Sequence, residues 1–368
     1  MTQKGRNKWM KKFYLLSFFI FLLAGINDGL YAQEQAETPT RLLRIYEDND
    51  FMNIRGKPTD DAYTAGTRID LFYTRENPSH FFLDRILPKA GDSSVNVFSW
   101  GVMQLLFTPD DLSNPDYQPN DYPWSASLTA SHSLYSYNPQ KKYDFQTELV
   151  LGVVGPAALG GPTQKLVHHI LQFEQPQGWS HQFRNSPLVN INFTAEKELA
   201  AWGPYVEVIG GGQVSVGSMQ NSVAVYPLIR IGKFTPYFNG FFSQYTGPGR
   251  QTGGKRKRRL QMYFLLKPQA QLVFTNALLE GGLFTTNPNL KVPGKGDSSV
   301  TGQTGTPVLE SEPPQPYHDI RRLICSVTYG GVVSTGHFGV SFTQTTASSM
   351  MKGLYDHDVE NVSIYYAW

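Results

Sequence analysis

Two short polar runs near the start of the chain carry side chains that could do chemistry together. EDNDF, residues 47–51, ends one alternating segment, and TDDAYTAG, residues 59–66, opens the next. A hairpin between the two segments brings Asn49, Asp50 and Thr64 to one rim of the sheet. Acidic and amide oxygens at close range could hold a hard cation such as calcium. Asp and Asn at a strand end are also common turn residues, so a purely structural role stays open.

A histidine further along the chain could supply a base. The run PTQKLVHHILQF has apolar residues at helical spacing and places Gln164 and His168 four residues apart on one face. It lies in the connection 156–186, which follows the fifth predicted strand and so returns to the rim of the first hairpin. His168 can therefore meet Asp50 and Asn49, and an imidazole beside a carboxylate is the equipment of a general base that activates water. A surface or helix-capping role for this histidine is the alternative.

Several other kinds of site are excluded by the sequence. It contains no GxSxG nucleophile elbow, no HExxH zinc helix and no GxxxxGK[ST] phosphate loop. The single cysteine, Cys325, rules out an intramolecular disulfide and any CxxC motif. The remaining candidates for chemistry are the polar residues at the rim and His168.

The elements that must position these residues are strands. Charged residues make up only 17% of the chain and aromatic residues 13%, with 34 glycines, a composition that favours short strands and turns over helices. Apolar and polar residues alternate in runs such as VNINFT, residues 189–194, and SIYYAW at the C-terminus. Such strands suit a secreted sandwich or a membrane barrel. Tyrosine abundance, small polar residues on the second face and the aromatic last residue favour the barrel.

Strand counting leads to a definite architecture. The candidate strands are 42–52, 62–74, 97–108, 124–135, 143–154, 187–198, 203–216, 223–233, 235–246, 260–275, 319–331, 333–346 and 358–368. Single-chain bacterial barrels use even strand numbers, so one of these thirteen does not span, and FTPYFNGFFSQY at 234–245 is the one we exclude. The sequence therefore predicts an all-β, transmembrane antiparallel barrel of twelve strands, with a short helix in an extracellular loop. Residues 285–317 are predicted to form a long loop.

The first residues are typical of a secretory signal. Five basic residues, an apolar run at 13–25 and the small residue Ala32 predict a signal peptide over 1–32 and a barrel domain over 33–368. An N-terminal membrane anchor is the alternative. Removal of residues 1–32 changes the formal charge from +2 to −2, so a basic field suited to nucleic acid is not expected. The expected location is the outer membrane of a Gram-negative cell, with outer-membrane lipids as neighbours and the protein as a monomer.

The order of the motifs resembles the bacterial outer-membrane lipid A 3-O-deacylase family. The matching blocks span roughly residues 42–285, and the run G-P…Q-x-x-V-H…G-W is the most specific part. They are DNDF at 48–51, T-D-x-x-Y-T-x-G at 59–66, QLLFTP at 104–109, DYPW at 121–124, GVVGPAA at 152–158, QKLVHH at 164–169, PQGWSHQ at 176–182 and, more loosely, NALLEGGLF at 276–284.

The resemblance implies a fold, an activity and residue roles. The family has a twelve-stranded barrel with its site between the wall and a loop helix, and it removes the ester-linked acyl chain at the 3-position of lipid A in lipopolysaccharide. The catalytic histidine falls on His168, and the polar set falls on Asn49, Asp50 and Thr64. A calcium cofactor is implied, with Asp50 either binding it or orienting His168. Asn49 and Thr64 are oxyanion or metal-shell groups.

The remaining expectations concern the substrate and the rival functions. Gln164 and Trp179, within the matching blocks, are expected to bind substrate. Ala65 stands where the family usually has Asn, which puts substrate preference in question. The basic run KRKRR at 255–259 could grip phosphates or form a solvated turn. A phospholipid-hydrolysing barrel and a non-catalytic porin or structural barrel are the alternatives.

Overall fold

Twelve antiparallel strands close into one barrel in the computed structural model, which describes residues 39–49, 62–75, 81–246, 260–282 and 319–368. Each strand pairs with its neighbours in sequence, and β1 pairs with β12 to complete the ring. The strands are β1 Arg41–Asn49, β2 Ala62–Tyr73, β3 Val95–Thr108, β4 Ser125–Asn138, β5 Tyr143–Val154, β6 Ser186–Trp202, β7 Val206–Gly217, β8 Gln220–Lys233, β9 Gln261–Asn276, β10 Leu323–Thr335, β11 Phe338–Ala347 and β12 His357–Ala367. The predicted strand number and pairing are confirmed.

Within the residues that the structure describes, the connections between strands contain four short α-helices. They are α1 Phe82–Ile86, α2 Gly160–Leu171, α3 Phe241–Tyr245 and α4 Ala277–Glu280. Helix α2 lies in the loop where the sequence predicts a helix. None of the helices within the described ranges is long and apolar enough to cross a membrane. The rim where β1 begins and β12 ends is called the inner rim, and the opposite rim, which carries α2, is the outer rim.

The two faces of the strands differ as the period-two pattern predicts. Ile69, Trp100, Val102, Leu151 and Val189 point away from the barrel axis, and each is between 50% and 54% exposed. A belt of large exposed apolar side chains around a closed barrel is the surface that a bilayer covers. Closure also pairs the edge strands, so no ladder edge is left unpaired in hydrocarbon.

The lumen side of the strands carries a buried ionic network at mid-height. Arg68 bonds Asp70 at 2.8 Å and Glu148 at 2.6 Å, and Arg44 reaches the second oxygen of Asp70 at 2.6 Å. Asn192 donates to the other oxygen of Glu148 at 3.0 Å. The network ties β1, β2, β5 and β6 together across the interior.

The inner end of the lumen is filled by residues 234–246, the segment excluded as a strand. Phe241 packs against Phe72 of β2 and Tyr135 of β4, with ring centroids 4.7 Å apart in both pairs. Tyr245 stacks on Tyr365 of β12 at 4.5 Å. Because β2, β4 and β12 surround the lumen, the segment crosses it and forms a plug. The exclusion of 234–245 is confirmed.

The basic run at 255–259 lies outside the described residues. The connection that contains it leaves β8 and enters β9 at the inner rim, since these two strands pair antiparallel. This connection therefore starts and ends on the same side of the membrane as the C-terminal residue Trp368. The Trp368 carbonyl accepts hydrogen bonds from the backbone N–H groups of Thr40 and Arg41.

An apolar cluster closes the outer end of the lumen. Loop residues Tyr122, Phe183, Ile320 and Met351 are buried there against α4 and against lumen-facing strand residues. The barrel is thus occupied at both ends, with the ionic network between the two apolar layers.

Replacement of Arg68 by Met should destabilise the barrel strongly. The change leaves Glu148 and part of Asp70 buried without their cation, and breaking a buried pair in this way costs about 3–5 kcal/mol. Urea unfolding of the purified protein in detergent measures the difference. Lys352→Met removes an exposed ion pair with Asp319 and should cost less than about 1 kcal/mol. Equal losses from the two changes would contradict the assigned importance of the lumen network.

Candidate active site

Helix α2 lies on the outer wall of the barrel, at the outer rim. Gln104 of β3 donates from Nε2 to the carbonyl of Ala158 at 2.6 Å and to Oγ1 of Thr163 at 3.2 Å. Gln104 is in phase with Trp100 and Val102, which are lipid-facing, so the helix is attached to the lipid-facing side of the wall.

Glycines let α2 approach the wall and its own loop closely. A Cβ on Gly160 would come within 2.4 Å of the Ala126 Cβ and 2.7 Å of the Trp179 ring, and one on Gly178 within 2.4 Å of the Trp124 ring. The helix therefore seats on β4, with both tryptophan rings packed beside it. Their centroids are 5.1 Å apart.

The opposite face of α2 is apolar and uncovered. Leu166 is 60% exposed, Val167 42% and Ile170 67%. On the lipid-facing side of a barrel these side chains point toward lipid. The helix thus has one face on the wall and one face toward lipid.

His168 is buried in the last turn of α2, and its ring orientation is fixed. Nδ1 lies 2.5 Å from the carbonyl oxygen of Glu174. A carbonyl only accepts, so Nδ1 carries the hydrogen and Nε2 is the atom that can take up a proton. The left-handed conformation of Gln172 ends the helix and turns the chain back, and Phe173 then donates its N–H to the His168 carbonyl at 2.8 Å. This reversal brings the Glu174 carbonyl to the ring.

Gln164 and Trp179 form a second buried pair on the same helix face. Trp179 is 5% exposed and donates from Nε1 to Oε1 of Gln164 at 2.7 Å. The pair sits one helical turn before His168. The structure therefore places Gln164, Trp179 and His168 in one cluster between α2, its loop and the wall.

Thr64 and Asn49 lie on the same side of the wall as α2. Thr64 occupies a bulge in β2, and its Oγ1 is 2.6 Å from Oγ1 of Thr108. Asn49 ends β1 opposite Ala65. The register continues from Ala65 to Leu106 and then to Ala126, which α2 covers, so this row crosses four adjacent strands. At about 4.8 Å per strand, Asn49 is roughly 14 Å from the β4 position under the helix. Asp50, the remaining predicted site residue, lies outside the described residues.

Several polar residues near the outer rim, on the lipid-facing side of the strands, were not identified from the sequence. Thr67 donates to Glu47 at 2.6 Å, Gln104 follows Thr67 in the register, and Glu360, fully buried, is opposite Asn49. The signal was available in β1, where Ile45, Glu47 and Asn49 share one face. A carboxylate on the same face as lipid-facing apolar residues indicates that the outer face of the wall changes from apolar to polar at this height.

The side-chain oxygens at the outer rim are the possible ligands of the predicted calcium ion. The described residues contain no group of three or more His, Cys, Asp or Glu side chains that could hold a metal. At the ends of β1, β2 and β3 they offer the Asn49 amide and the Thr64 and Thr108 hydroxyls, which are hard oxygen ligands of the kind that calcium takes. In chemistry these donors fit a calcium ion.

Tyr122 is excluded as a second base at this rim. It lies in the β3–β4 connection, and burial raises the pKa of its phenol to about 12. Its hydroxyl donates to the Tyr355 carbonyl at 3.3 Å and accepts from the Met350 N–H at 3.1 Å. A phenol that stays protonated at neutral pH cannot take a proton from water, so Tyr122 ties two outer loops together.

A closed twelve-stranded barrel with a lipid-facing belt and a covered polar rim on its outer wall defines an outer-membrane β-barrel protein. The sequence model of the family described as outer membrane protein LpxR matches residues 15–368. The chain belongs to this family, which confirms the resemblance found in its motifs.

One solved structure shares this fold. LpxR from Salmonella typhimurium superposes with a TM-score of 0.63 at 19% identity, over 89% of this chain and 100% of that chain. The beta domain of the Bordetella autotransporter Brka gives a TM-score of 0.41 at 7% identity, over 90% of this chain and 100% of that chain. A search of curated proteins gave no match.

Replacement of Gly160 by Val should detach α2 from the wall. The new side chain has no room against Ala126 and Trp179, whereas the strand ladder around the barrel is untouched. Trypsin cleavage after Lys165, measured on the purified protein in detergent, should become at least about tenfold faster, since local opening exposes the helix backbone. Ile170→Ala, on the exposed face, should leave the rate unchanged. Equal protection of Lys165 in the Gly160 variant would contradict this packing.

Proposed function

We propose that the chain is an outer-membrane esterase that hydrolyses the 3-O-linked acyl chain of lipid A, with His168 as the general base. The observation that carries the proposal is the buried His168, whose Nδ1 is bonded at 2.5 Å to the Glu174 carbonyl, on the lipid-facing wall at the outer rim. Family membership supports the substrate class, since lipid A lies in the outer leaflet that this wall faces.

The chain's own residues supply base catalysis and exclusion of solvent. His168 Nε2 takes a proton from a water molecule as that water attacks the acyl carbonyl carbon, and the imidazolium then returns the proton to the departing sugar oxygen. The Glu174 carbonyl keeps the ring in one tautomer through both steps. Helix α2 and the wall enclose the reacting ester, and the exposed Leu166, Val167 and Ile170 lie along the acyl chains of the leaflet.

Calcium and Asp50 belong to the same proposal. A calcium ion, when bound, would add positive charge where the carbonyl oxygen becomes negative. We assign Asp50, with the Asn49 amide oxygen, to holding this ion. The support for the assignment is that a backbone carbonyl already orients the Nδ1 side of His168, so a carboxylate is not required there. Thr64 belongs with the polar shell of this site.

The remaining features of the proposal concern location and state. The signal peptide over 1–32 and the monomeric state stay predictions, and residues 1–38 lie outside the described residues. Gln164 and Trp179, which were predicted to bind substrate, are proposed as part of the substrate cavity.

Replacement of His168 by Ala should abolish deacylation. Loss of a general base lowers the rate by about 10²–10⁴-fold. Mass spectrometry of lipid A from cells that express the variant should show the intact 3-position acyl chain, whereas wild-type cells should lose one acyl group. Calcium chelation of the purified wild-type protein should give the same result as the variant.

The adjacent His169 provides the matched control, since its side chain is exposed whereas that of His168 is buried. His169→Ala should keep full activity. Deacylation by the His168 variant, or loss of activity in both variants alike, would contradict the assigned base. Release of fatty acid from phospholipids with unchanged lipid A would point to the phospholipid-hydrolysing alternative.

The porin alternative is tested by conductance. The plug at 234–246 and the outer apolar cluster occupy the two ends of the lumen, so the purified protein should insert into a planar bilayer without a steady ionic current. A general porin inserted from the same detergent provides the control. A stable open-channel current from the wild-type protein would contradict a closed barrel and favour a transport function.

A further inference from the structure

One buried donor in the site has no use in the mechanism given so far. Gln164 is 4% exposed, and its Nε2 has no hydrogen-bond partner among the residues that the structure describes. A buried amide N–H without an acceptor is unfavourable and uncommon in native proteins. Such a donor, placed in a candidate active site, indicates an acceptor atom supplied by a ligand.

The orientation of this amide is determined by its neighbour. Trp179 Nε1 lies 2.7 Å from one of the two terminal atoms of the Gln164 amide. An indole nitrogen only donates, so the atom that it meets must be the oxygen Oε1. Nε2 and its two hydrogens therefore point away from Trp179. The tryptophan prevents the amide from rotating and presenting its oxygen instead.

The spacing of Gln164 and His168 suits one reacting group. The two residues are four apart on α2, and such side chains share a face with Cβ atoms roughly 5–6 Å apart. An ester carbonyl between them can receive a water activated by His168 at its carbon and a hydrogen bond from Gln164 at its oxygen. Both side chains are buried, so bulk water does not compete for these contacts.

We propose that Gln164 is a catalytic residue, whose Nε2–H donates a hydrogen bond to the oxyanion of the tetrahedral intermediate of acyl-ester hydrolysis. This inference rests on the proposed function and adds a role beyond substrate binding. Trp179 is the positioning residue that holds the amide with its nitrogen toward the substrate.

The step balances as an ordinary ester hydrolysis. Water oxygen forms a bond to the acyl carbon, its proton passes to His168 Nε2, and the carbonyl π electrons move to the oxygen that Gln164 contacts. The intermediate then collapses, the bond from the acyl carbon to the sugar oxygen breaks, and His168 protonates that oxygen. The products are a fatty acid and a free sugar hydroxyl.

Replacement of Gln164 by Leu tests the donor directly. Removal of one oxyanion donor lowers kcat by about 10²–10³-fold, and KM should change little because the contact forms mainly in the transition state. Gln164→Glu keeps the shape and the acceptor for Trp179 but removes the donor, so its kcat should fall at least as far. Both rates are measured on purified lipid A in detergent, with circular dichroism and heat-dependent gel migration to establish a folded barrel.

Two further variants separate donation from packing. Trp179→Phe keeps a ring in place but releases the amide, and the loss of one orienting hydrogen bond should reduce kcat by roughly tenfold or less. Gln177→Glu makes the same Gln-to-Glu change at an exposed position of the same loop and should keep wild-type kinetics. Because Gln164 carries no titrating proton, the pH profile of kcat in Gln164→Leu should keep its midpoint and lose only height.

The outcomes distinguish this inference from the function on which it rests. Wild-type protein without lipid A hydrolysis, or an active His168→Ala variant, would contradict the proposed function itself. An active, His168-dependent wild type combined with a Gln164→Leu variant within about threefold of wild-type kcat would overturn only the role of Gln164. A loss confined to KM, or a shifted pH midpoint, would likewise overturn it, because either result assigns Gln164 to binding or to the placement of His168.

Discussion

The contact between α2 and the outer wall is the constraint on which the candidate site depends. Hydrocarbon offers no water to polar groups, so a polar strip on a lipid-facing wall must be covered by protein or occupied by substrate. Gln104 joins the wall to the loop at 2.6 Å, and Gly160 allows the helix to lie directly on β4. The burial of His168 and Gln164 follows from this contact, and neither side chain is positioned by the barrel alone.

The barrel interior is filled by structural contacts, so the candidate active site lies on the outer wall. Arg68, Asp70 and Glu148 bind one another across the lumen, while aromatic residues of 234–246 fill its inner end. A narrow barrel filled in this way holds its strands in fixed register. The outer-wall row from Asn49 to Ala126 is therefore set rigidly, which matters for a site whose members come from separate strands and a loop.

Period-two alternation predicted thirteen candidate strands, one more than the barrel has. The exclusion of 234–245 followed from an even strand count, and the helical spacing around Leu166 located α2. The hydrogen-bond partners of the site residues could not be predicted from the sequence. The bond from His168 to the Glu174 carbonyl depends on the left-handed turn at Gln172, and the bond from Trp179 to Gln164 depends on how the loop folds back. The turn at Gln172 has no glycine or proline at the position that reverses the chain.

The use of a backbone carbonyl beside His168 is consistent with the position of the site against lipid. A carboxylate in this role would place a full negative charge in a low-dielectric region, where an uncompensated charge is costly. A carbonyl fixes the same tautomer without a charge, although it stabilises the transient imidazolium less than a carboxylate does. The oxyanion that forms in the same step then needs its own neutral or positive partners. The oriented Gln164 amide supplies a neutral donor at no cost in buried charge, and the proposed calcium ion would complete the compensation.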